Sequence, residues 1–197
     1  MLFNLNFDQN YVKMDIVKLV FKMENIKKQI DELLSKKDFI IVAIDGKCAS
    51  GKTTLANELA KYYDCNVFHM DDFFLRPEQR INERFSEVGG NIDYERFNEE
   101  VLIPLKAQKD FSYQPFDCST QTLSNEIQVS LKKLNIIEGT YSQHLYFGEP
   151  YDLKILLDIN PDLQRKRILE RPEFLHKRFF EEWIPMENEY FKKYFGI

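Results

Sequence analysis

Two spacings of apolar residues alternate along this chain. Phe39-Ile40-Ile41-Val42-Ala43-Ile44 is a continuous run rich in β-branched residues and closed by Asp45. It predicts a strand buried on both faces of a parallel sheet. Shorter runs of the same kind predict strands at Asn66–Met70, at Leu134–Ile137 ending on Glu138, and at Leu153–Ile159. Between them the spacing lengthens to three and four. Leu55, Ala56 and Leu59 share one helical face, as do Phe97, Val101 and Leu105 in a helix expected from Tyr94 to Lys106 and kinked near Pro104. Ile26, Ile30, Leu33 and Leu34 mark a helix expected over Tyr11 to Lys37, whose lysines form a solvated face. Met1 to Asn10 gives no clear pattern. Strands alternating with helices predict an α/β fold with a doubly wound, mostly parallel sheet and flanking helices.

The remaining segments fit around that frame. Phe111–Phe116 and Glu126–Leu131 alternate loosely about a polar stretch, which predicts a β-hairpin insertion over 108–131, weakened by Pro115. Pro77–Glu87 reads as a short helix with Arg76, Arg80 and Arg84 at fourfold spacing, and Gly89-Gly90-Asn91 as a turn. Asn160-Pro161-Asp162 starts a basic helix carrying Arg165, Arg167 and Arg171, and Pro172–Phe195 is helical in pieces, broken near Pro185. One domain is expected over 1–197, with a helical extension at 1–37 and a lid over 161–180.

Composition narrows the class. At 197 residues, 44% hydrophobic and 30% charged, the chain has the material for one globular core. A net charge of −5 argues against a nucleic-acid partner. Cys48, Cys65 and Cys118 have neither metal nor redox spacing and read as free thiols of a reducing, cytoplasmic setting. No secretory leader and no membrane-length apolar run is expected, and self-association stays open. His69, His144 and His176 are scattered, so no structural metal is expected.

The chemistry sits between the first strand and its helix. Gly46-Lys47-Cys48-Ala49-Ser50-Gly51-Lys52-Thr53, followed by Thr54, fits G-x-x-x-x-G-K-[ST] at every fixed position. Glycines let such a loop wrap a phosphate, while its amides and the helix N-terminus supply positive charge. Lys52 can then reach the β- and γ-phosphates of ATP, and the Thr53 hydroxyl can ligate Mg²⁺. Strand before and helix after distinguish the motif from a chance Gly-rich loop. Asp71 and Asp72 leave the second strand at its carboxyl end, where open α/β sheets bind ligands. Glu138, at another strand end, can hold a magnesium-bound water or merely cap the strand. Arg165, Arg167 and Arg171 suit a lid, since guanidinium forks match phosphate oxygens. Arg76, Arg80 and Arg84 are either a solvated face or a clamp for a phosphorylated acceptor. Cys48, beside Lys47 near a helix N-terminus, is either a thiolate of lowered pKa or an inert residue that fits.

Six segments in order, Gly46–Thr54, Asp71-Asp72-Phe73-Phe74, Asn91-Ile92-Asp93, Pro115-Phe116-Asp117, Ile137-Glu138-Gly139 and Arg167–Arg171, resemble the uridine kinase and phosphoribulokinase group of P-loop kinases, bacterial uridine kinases above all. The resemblance spans roughly Phe39 to Phe195. It implies a P-loop NTPase fold, ATP and Mg²⁺, and a small-molecule acceptor, a nucleoside 5′-hydroxyl first. It further implies Asp71 as the residue that deprotonates or orients that hydroxyl, Asp93 as a ribose contact, Phe116 on the substrate side, Glu138 near magnesium, and Arg167 with Arg171 in the lid. There are departures. Phe116-Asp117-Cys118 is followed by Ser119-Thr120-Gln121, without the histidine that reads the base in pyrimidine nucleoside kinases. The family's last strand would begin about where Ile197 stands, so the sheet is expected to be shorter or to have that strand outside these residues.

Two rivals remain. One is a kinase of another hydroxylated metabolite, such as pantothenate, a ribosylated vitamin or a sugar phosphate. The other is a nucleotide switch or ATPase module acting on a protein partner. The chain has neither the N-K-x-D nor the D-x-x-G segment of GTPases, and no second subdomain of a motor ATPase.

Overall fold

A computed structural model describes residues 11–15 and 19–197, with side chains from residue 23 onward. Strand β1 (Tyr11–Asp15) is followed by helix α1 (Leu19–Leu34), β2 (Ile40–Gly46), α2 (Lys52–Ala60) and β3 (Cys65–His69). The centre of the chain holds α3 (Asn82–Phe85), α4 (Tyr94–Phe97) and α5 (Ile103–Lys106). Short strands β4 (Phe111–Tyr113), β5 (Phe116–Asp117), β6 (Thr122–Leu123) and β7 (Ile127–Val129) come next. The chain closes with β8 (Leu134–Glu138), β9 (Leu153–Asp158), α6 (Pro161–Leu169), α7 (Glu173–Arg178) and α8 (Ile184–Phe195). The main sheet runs β1-β9-β2-β8-β3, and every pairing in it is parallel.

Both faces of the sheet are covered, which is why β2 reads as an unbroken apolar run. Ile40, Val42 and Ile44 point to one face and pack with Ile26 and Ile30 of α1 and Leu55 and Leu59 of α2. Ile41, Ile137 and Leu156 point to the other, against Phe97 of α4, Leu105 of α5 and Tyr190 and Phe191 of α8. The fold is therefore the doubly wound α/β arrangement of P-loop NTPases, with the glycine-rich loop joining the central strand β2 to α2.

The N-terminal region differs from expectation. The helix anticipated from Tyr11 starts only at Leu19, and residues 11–15 pair with β9 from Tyr11↔Lys154 to Asp15↔Asp158. A helical extension over 1–37 is thus replaced by an edge strand plus a helix, while Met1–Asn10 lies outside the described residues. The periodicity rested on Ile26 to Leu34 alone. An unpaired β9 edge would leave a row of backbone donors and acceptors without partners, and pairing with β1 outweighs helix propensity there. The edge beside β9 is therefore filled from the N-terminal side.

Pro104, expected to kink its helix, and Pro185, expected to break one, each follow a π turn. Asn98–Leu102 joins α4 to α5 two residues before Pro104, and Phe179–Trp183 joins α7 to α8 two residues before Pro185. The Ile103 amide donates to Asn98 O and the Ile184 amide to Phe179 O. Proline has no N–H and its ring crowds the carbonyl four residues back, so a wider turn just before it lets the helix continue. The Pro77–Glu87 segment divides into a 3₁₀ turn, Pro77–Gln79, and α3. The hairpin splits at Pro115 into two antiparallel pairs, β4 with β7 and β5 with β6. Tyr113 of β4 roots it in the core, stacking on Phe73 at 5.6 Å.

Candidate active site

The loop begins at the last residue of β2, which lies beside Leu157 of β9. A Cβ on Gly46 would stand 2.1 Å from the Leu157 carbonyl oxygen, so only glycine fits. Lys47 leans away to pair with Asp158 at 3.5 Å, Ser50 is fully buried, and Cys48, Ala49, Gly51, Lys52, Thr53 and Thr54 line a cleft of about 590 Å³. Lys52 is folded against its own loop: Nζ donates to Gly46 O (2.7 Å), Lys47 O (3.0 Å) and Thr140 Oγ1 (3.1 Å). The Thr53 hydroxyl donates to Glu138 Oε1 at 3.0 Å, at the end of the neighbouring strand β8. His69, at the end of β3, reaches the same oxygen through Nδ1 at 2.6 Å, and that carboxylate raises the imidazole's pKa. Gly139 holds this strand end against β3, since a Cβ there would meet Met70 Cβ at 2.6 Å.

Strand β3 ends in a 3₁₀ turn, Met70–Phe73, which separates its two aspartates. Asp71 projects into the cleft, where its carboxylate reaches solvent although protein surrounds it on most sides. That enclosure raises its pKa, and the Lys52 charge works in the opposite direction. Asp72 turns the other way, with the Tyr113 hydroxyl as hydrogen-bond partner and its own carbonyl accepting from Arg96 at 3.2 Å.

Two residues the resemblance placed on the substrate side are withdrawn from the cleft. Asp93 is 2% exposed and caps α4: Oδ1 accepts the Arg96 amide at 3.1 Å and Oδ2 accepts from Gln79 Nε2 at 2.8 Å. Phe116 is buried beneath the Arg80 guanidinium. The arginine row is also committed. Arg84 holds both Glu95 oxygens at 2.7 and 2.6 Å, and Arg80 grips Leu75 O and Gln121 Oε1.

Asn160 caps α6 by accepting from the Asp162 and Leu163 amides. Arg167 Nη1 donates to Ala49 O at 2.9 Å. Arg171 lies over the Phe179 ring at 4.8 Å, and both arginines line the cleft. Arg165 instead covers Phe180 at 5.0 Å, outside that lining.

Asp45 and Glu187 were not singled out in the sequence. Asp45 has no exposed surface; its Oδ1 accepts the Gly46 and Tyr141 amides (2.7 and 3.1 Å) and its Oδ2 the Gln143 amide and Tyr190 hydroxyl (3.0 and 2.7 Å). Burial outweighs those four donors and lifts its pKa to about 6. Glu187, on α8, is 5% exposed and its Oε2 accepts the Cys48 amide at 2.7 Å. Only the end of β2 at Asp45 carried a clue, since an acid closing an apolar strand must find donors. These neighbours correct the thiolate expectation for Cys48. Burial first, and then the Glu187 charge, push its pKa up to about 12.

The donors facing the loop are hard oxygens, the Thr53 hydroxyl and the Glu138 carboxylate, with His69 fixing the latter from behind. Magnesium takes one or two such protein ligands and completes its shell with phosphates and water, so the set fits that ion. No helix among the described residues is long and apolar enough to cross a membrane.

No family model matches the sequence. A pantothenate kinase of Listeria monocytogenes serotype 4a (strain HCC23) is 28% identical over 195 residues, covering 89% of this chain and 60% of that protein. The chain thus spans about three fifths of the length of such relatives. A uridine kinase of Staphylococcus haemolyticus (strain JCSC1435) is 28% identical over 178 residues, covering 80% of this chain and 85% of the relative. Among solved structures, a possible uridine kinase from Bacillus stearothermophilus superposes with a TM-score of 0.62 at 25% identity, over 85% of this chain and 92% of that one. Loop, strand order and relatives agree: the chain resembles the uridine kinase and phosphoribulokinase group of P-loop kinases.

Proposed function

We propose that this protein is an ATP-dependent phosphotransferase that moves the γ-phosphoryl to a hydroxyl of a small metabolite. The observation that carries the reading is a convergence: Lys52, Thr53, Glu138, Asp71, Arg167 and Arg171 come from four separate segments and line one cleft. Phosphoryl transfer asks for positioning and charge stabilisation, and each of these side chains has a part in it. The loop amides and Lys52 hold the phosphates, Lys52 exchanging its bonds to Gly46 O and Lys47 O for phosphate oxygens. Thr53 and Glu138 would hold magnesium, which neutralises charge on the transferring group when bound. Asp71 accepts the proton of the acceptor hydroxyl, and Arg167 and Arg171 close over the phosphates from α6 and its C-terminal end.

A nucleoside 5′-hydroxyl is the leading acceptor, supported by the named uridine kinases among the relatives. A second reading, another hydroxylated metabolite, draws support from Asp93, whose two oxygens are taken up within the protein. A phosphorylated acceptor fits less well, because Arg80 and Arg84 are committed elsewhere. ATP turnover measured with nucleosides, pantothenate, ribosylated vitamins and sugar phosphates tests the proposal. Phosphorylation of one small hydroxyl compound, abolished by chelating magnesium, is expected. Acceptor-independent hydrolysis stimulated only by a protein would replace the kinase reading with that of a switch.

A further inference from the structure

The Glu187 carboxylate is an expensive group to keep where it is. It is 5% exposed, carried on α8, and bonded to the amide of a phosphate-loop residue, Cys48, at 2.7 Å. Its other oxygen lies 3.5 Å from Thr140 Oγ1, which in turn accepts from Lys52 Nζ at 3.1 Å. Burial raises its pKa, and the nearby Lys52 charge acts directly on it in the opposite direction, favouring the ionised form. A glutamine in this place would accept the same amide bond without the cost of burying a charge. Helix α8 also has a second tie to the same region three residues on, where Tyr190 donates to Asp45. Anchoring the helix therefore does not require a charge at 187.

A loop of this kind is built to hold an anion, and here an internal anion already occupies one of its amides and part of its lysine's field. We propose that Glu187 is a nucleotide-specificity residue: it acts as the loop's resident anion and sets the balance between nucleoside tri- and diphosphate binding. The inference rests on the phosphate-loop reading above. A triphosphate brings extra negative charge to the loop beside the carboxylate, whereas a diphosphate brings less. An extra unit of like charge roughly 10 Å from the carboxylate, at an effective dielectric constant of about 20, opposes binding by an amount worth about tenfold in affinity.

Calorimetric titration of the unmodified chain, Glu187→Gln and Glu187→Asp with ADP and with the β,γ-imido analogue of ATP tests this. Glu187→Gln is expected to tighten the triphosphate analogue about tenfold and ADP by less than about threefold, while Glu187→Asp, which keeps the charge, retains the original ratio. Equal weakening of both ligands together with a lower melting temperature would make Glu187 a structural tie and overturn the proposal. Unchanged nucleotide affinities with a raised acceptor KM would place Glu187 on the acceptor side and overturn it too. Amide hydrogen exchange over 184–191 in the unmodified chain gives a readout independent of any variant. The triphosphate analogue should accelerate exchange there relative to ADP, and equal protection by both would refute the proposal. If the unmodified chain binds neither nucleotide, the phosphate-loop reading itself fails and this inference falls with it.

Discussion

Replacing Asp71 by asparagine tests the catalytic part of the reading most directly. The amide keeps the side chain's shape in the cleft and removes its capacity to take a proton. General-base assistance is worth about 10²–10⁴-fold, or roughly 3–5 kcal/mol of barrier, so kcat should fall on that scale. Nucleotide affinity should not fall with it. Asp71 draws on the Lys52 charge and is repelled by Glu138, so neutralising it leaves Lys52 freer to hold phosphate. Any change in ATP affinity should therefore be a modest tightening. Asp72→Asn supplies the contrast, because that side chain faces Tyr113 rather than the cleft. Losing a charged acceptor there costs about 1–2 kcal/mol, a few degrees of melting temperature, with kcat changed little.

The pH profile adds a second arm. Enclosure raises the Asp71 pKa above its ordinary 3.8, and the base must be ionised to act. In the unmodified enzyme kcat/KM should therefore fall as pH drops through that raised value, and Asp71→Asn should lose this limb. Steady-state kinetics, separate titration of ATP and thermal melts of both variants decide the matter. A large kcat loss in Asp72→Asn, with Asp71→Asn nearly unaffected, would show that the base has been assigned to the wrong carboxylate.

Lys52→Ala should abolish nucleotide binding, and it should also lower the melting temperature, because Asp45, Asp71 and Glu187 all draw on that ammonium; a folded variant with normal kcat/KM would contradict the central claim. Cys48 should resist alkylation at pH 8 while the exposed Cys118 reacts, and mass spectrometry of the native protein showing Cys48 modified first would refute the burial argument. Tyr190→Phe removes a donor to buried Asp45 and should cost about 1.5–3 kcal/mol, read in a denaturant titration. Asp45 itself is held at about 6 when folded against an ordinary 3.8, so the native state binds the extra proton. Its contribution should favour folding below about pH 4, decline as pH rises to about 6 and stay level beyond, giving up about 3 kcal/mol across that window. In Asp45→Asn that part of the stability–pH curve should disappear, and an unchanged curve would refute the assignment.

Local signals made most of the sheet legible. Four of its five strands are short apolar runs bounded by turns or acids, and each lies within a residue or two of its expected place. The fifth, β1, was not legible, because an edge strand is stabilised by the neighbour it pairs with and Tyr11-Val12-Lys13-Met14-Asp15 has no continuous apolar run of its own. Pro185 misled for a related reason. Pro104 and Pro185 each forbid an α-helical bond at one position, but surrounding packing on Val101, Leu105 and Tyr190 rewards continuing the helix through a π turn.

The site divides along the same line. Lys52, Thr53, Glu138 and Asp71 sit in a motif or at strand ends, where backbone direction alone carries a side chain to the ligand edge of the sheet. Asp93 carried the family's signal for substrate contact, yet as the N-cap of α4 it finds donors from Arg96 and Gln79 that an ordinary cap requires. Pattern matching could not separate the two uses of that carboxylate, because both need an aspartate just before a helix. Glu187 and Tyr190 present the opposite case. Nothing in Met186-Glu187-Asn188-Glu189-Tyr190 distinguishes an amphipathic surface helix from one gripping a phosphate loop 139 residues earlier in the chain. Only the fold brings that helix face onto Asp45 and Cys48, and the charge buried there then becomes the group whose presence packing alone does not explain.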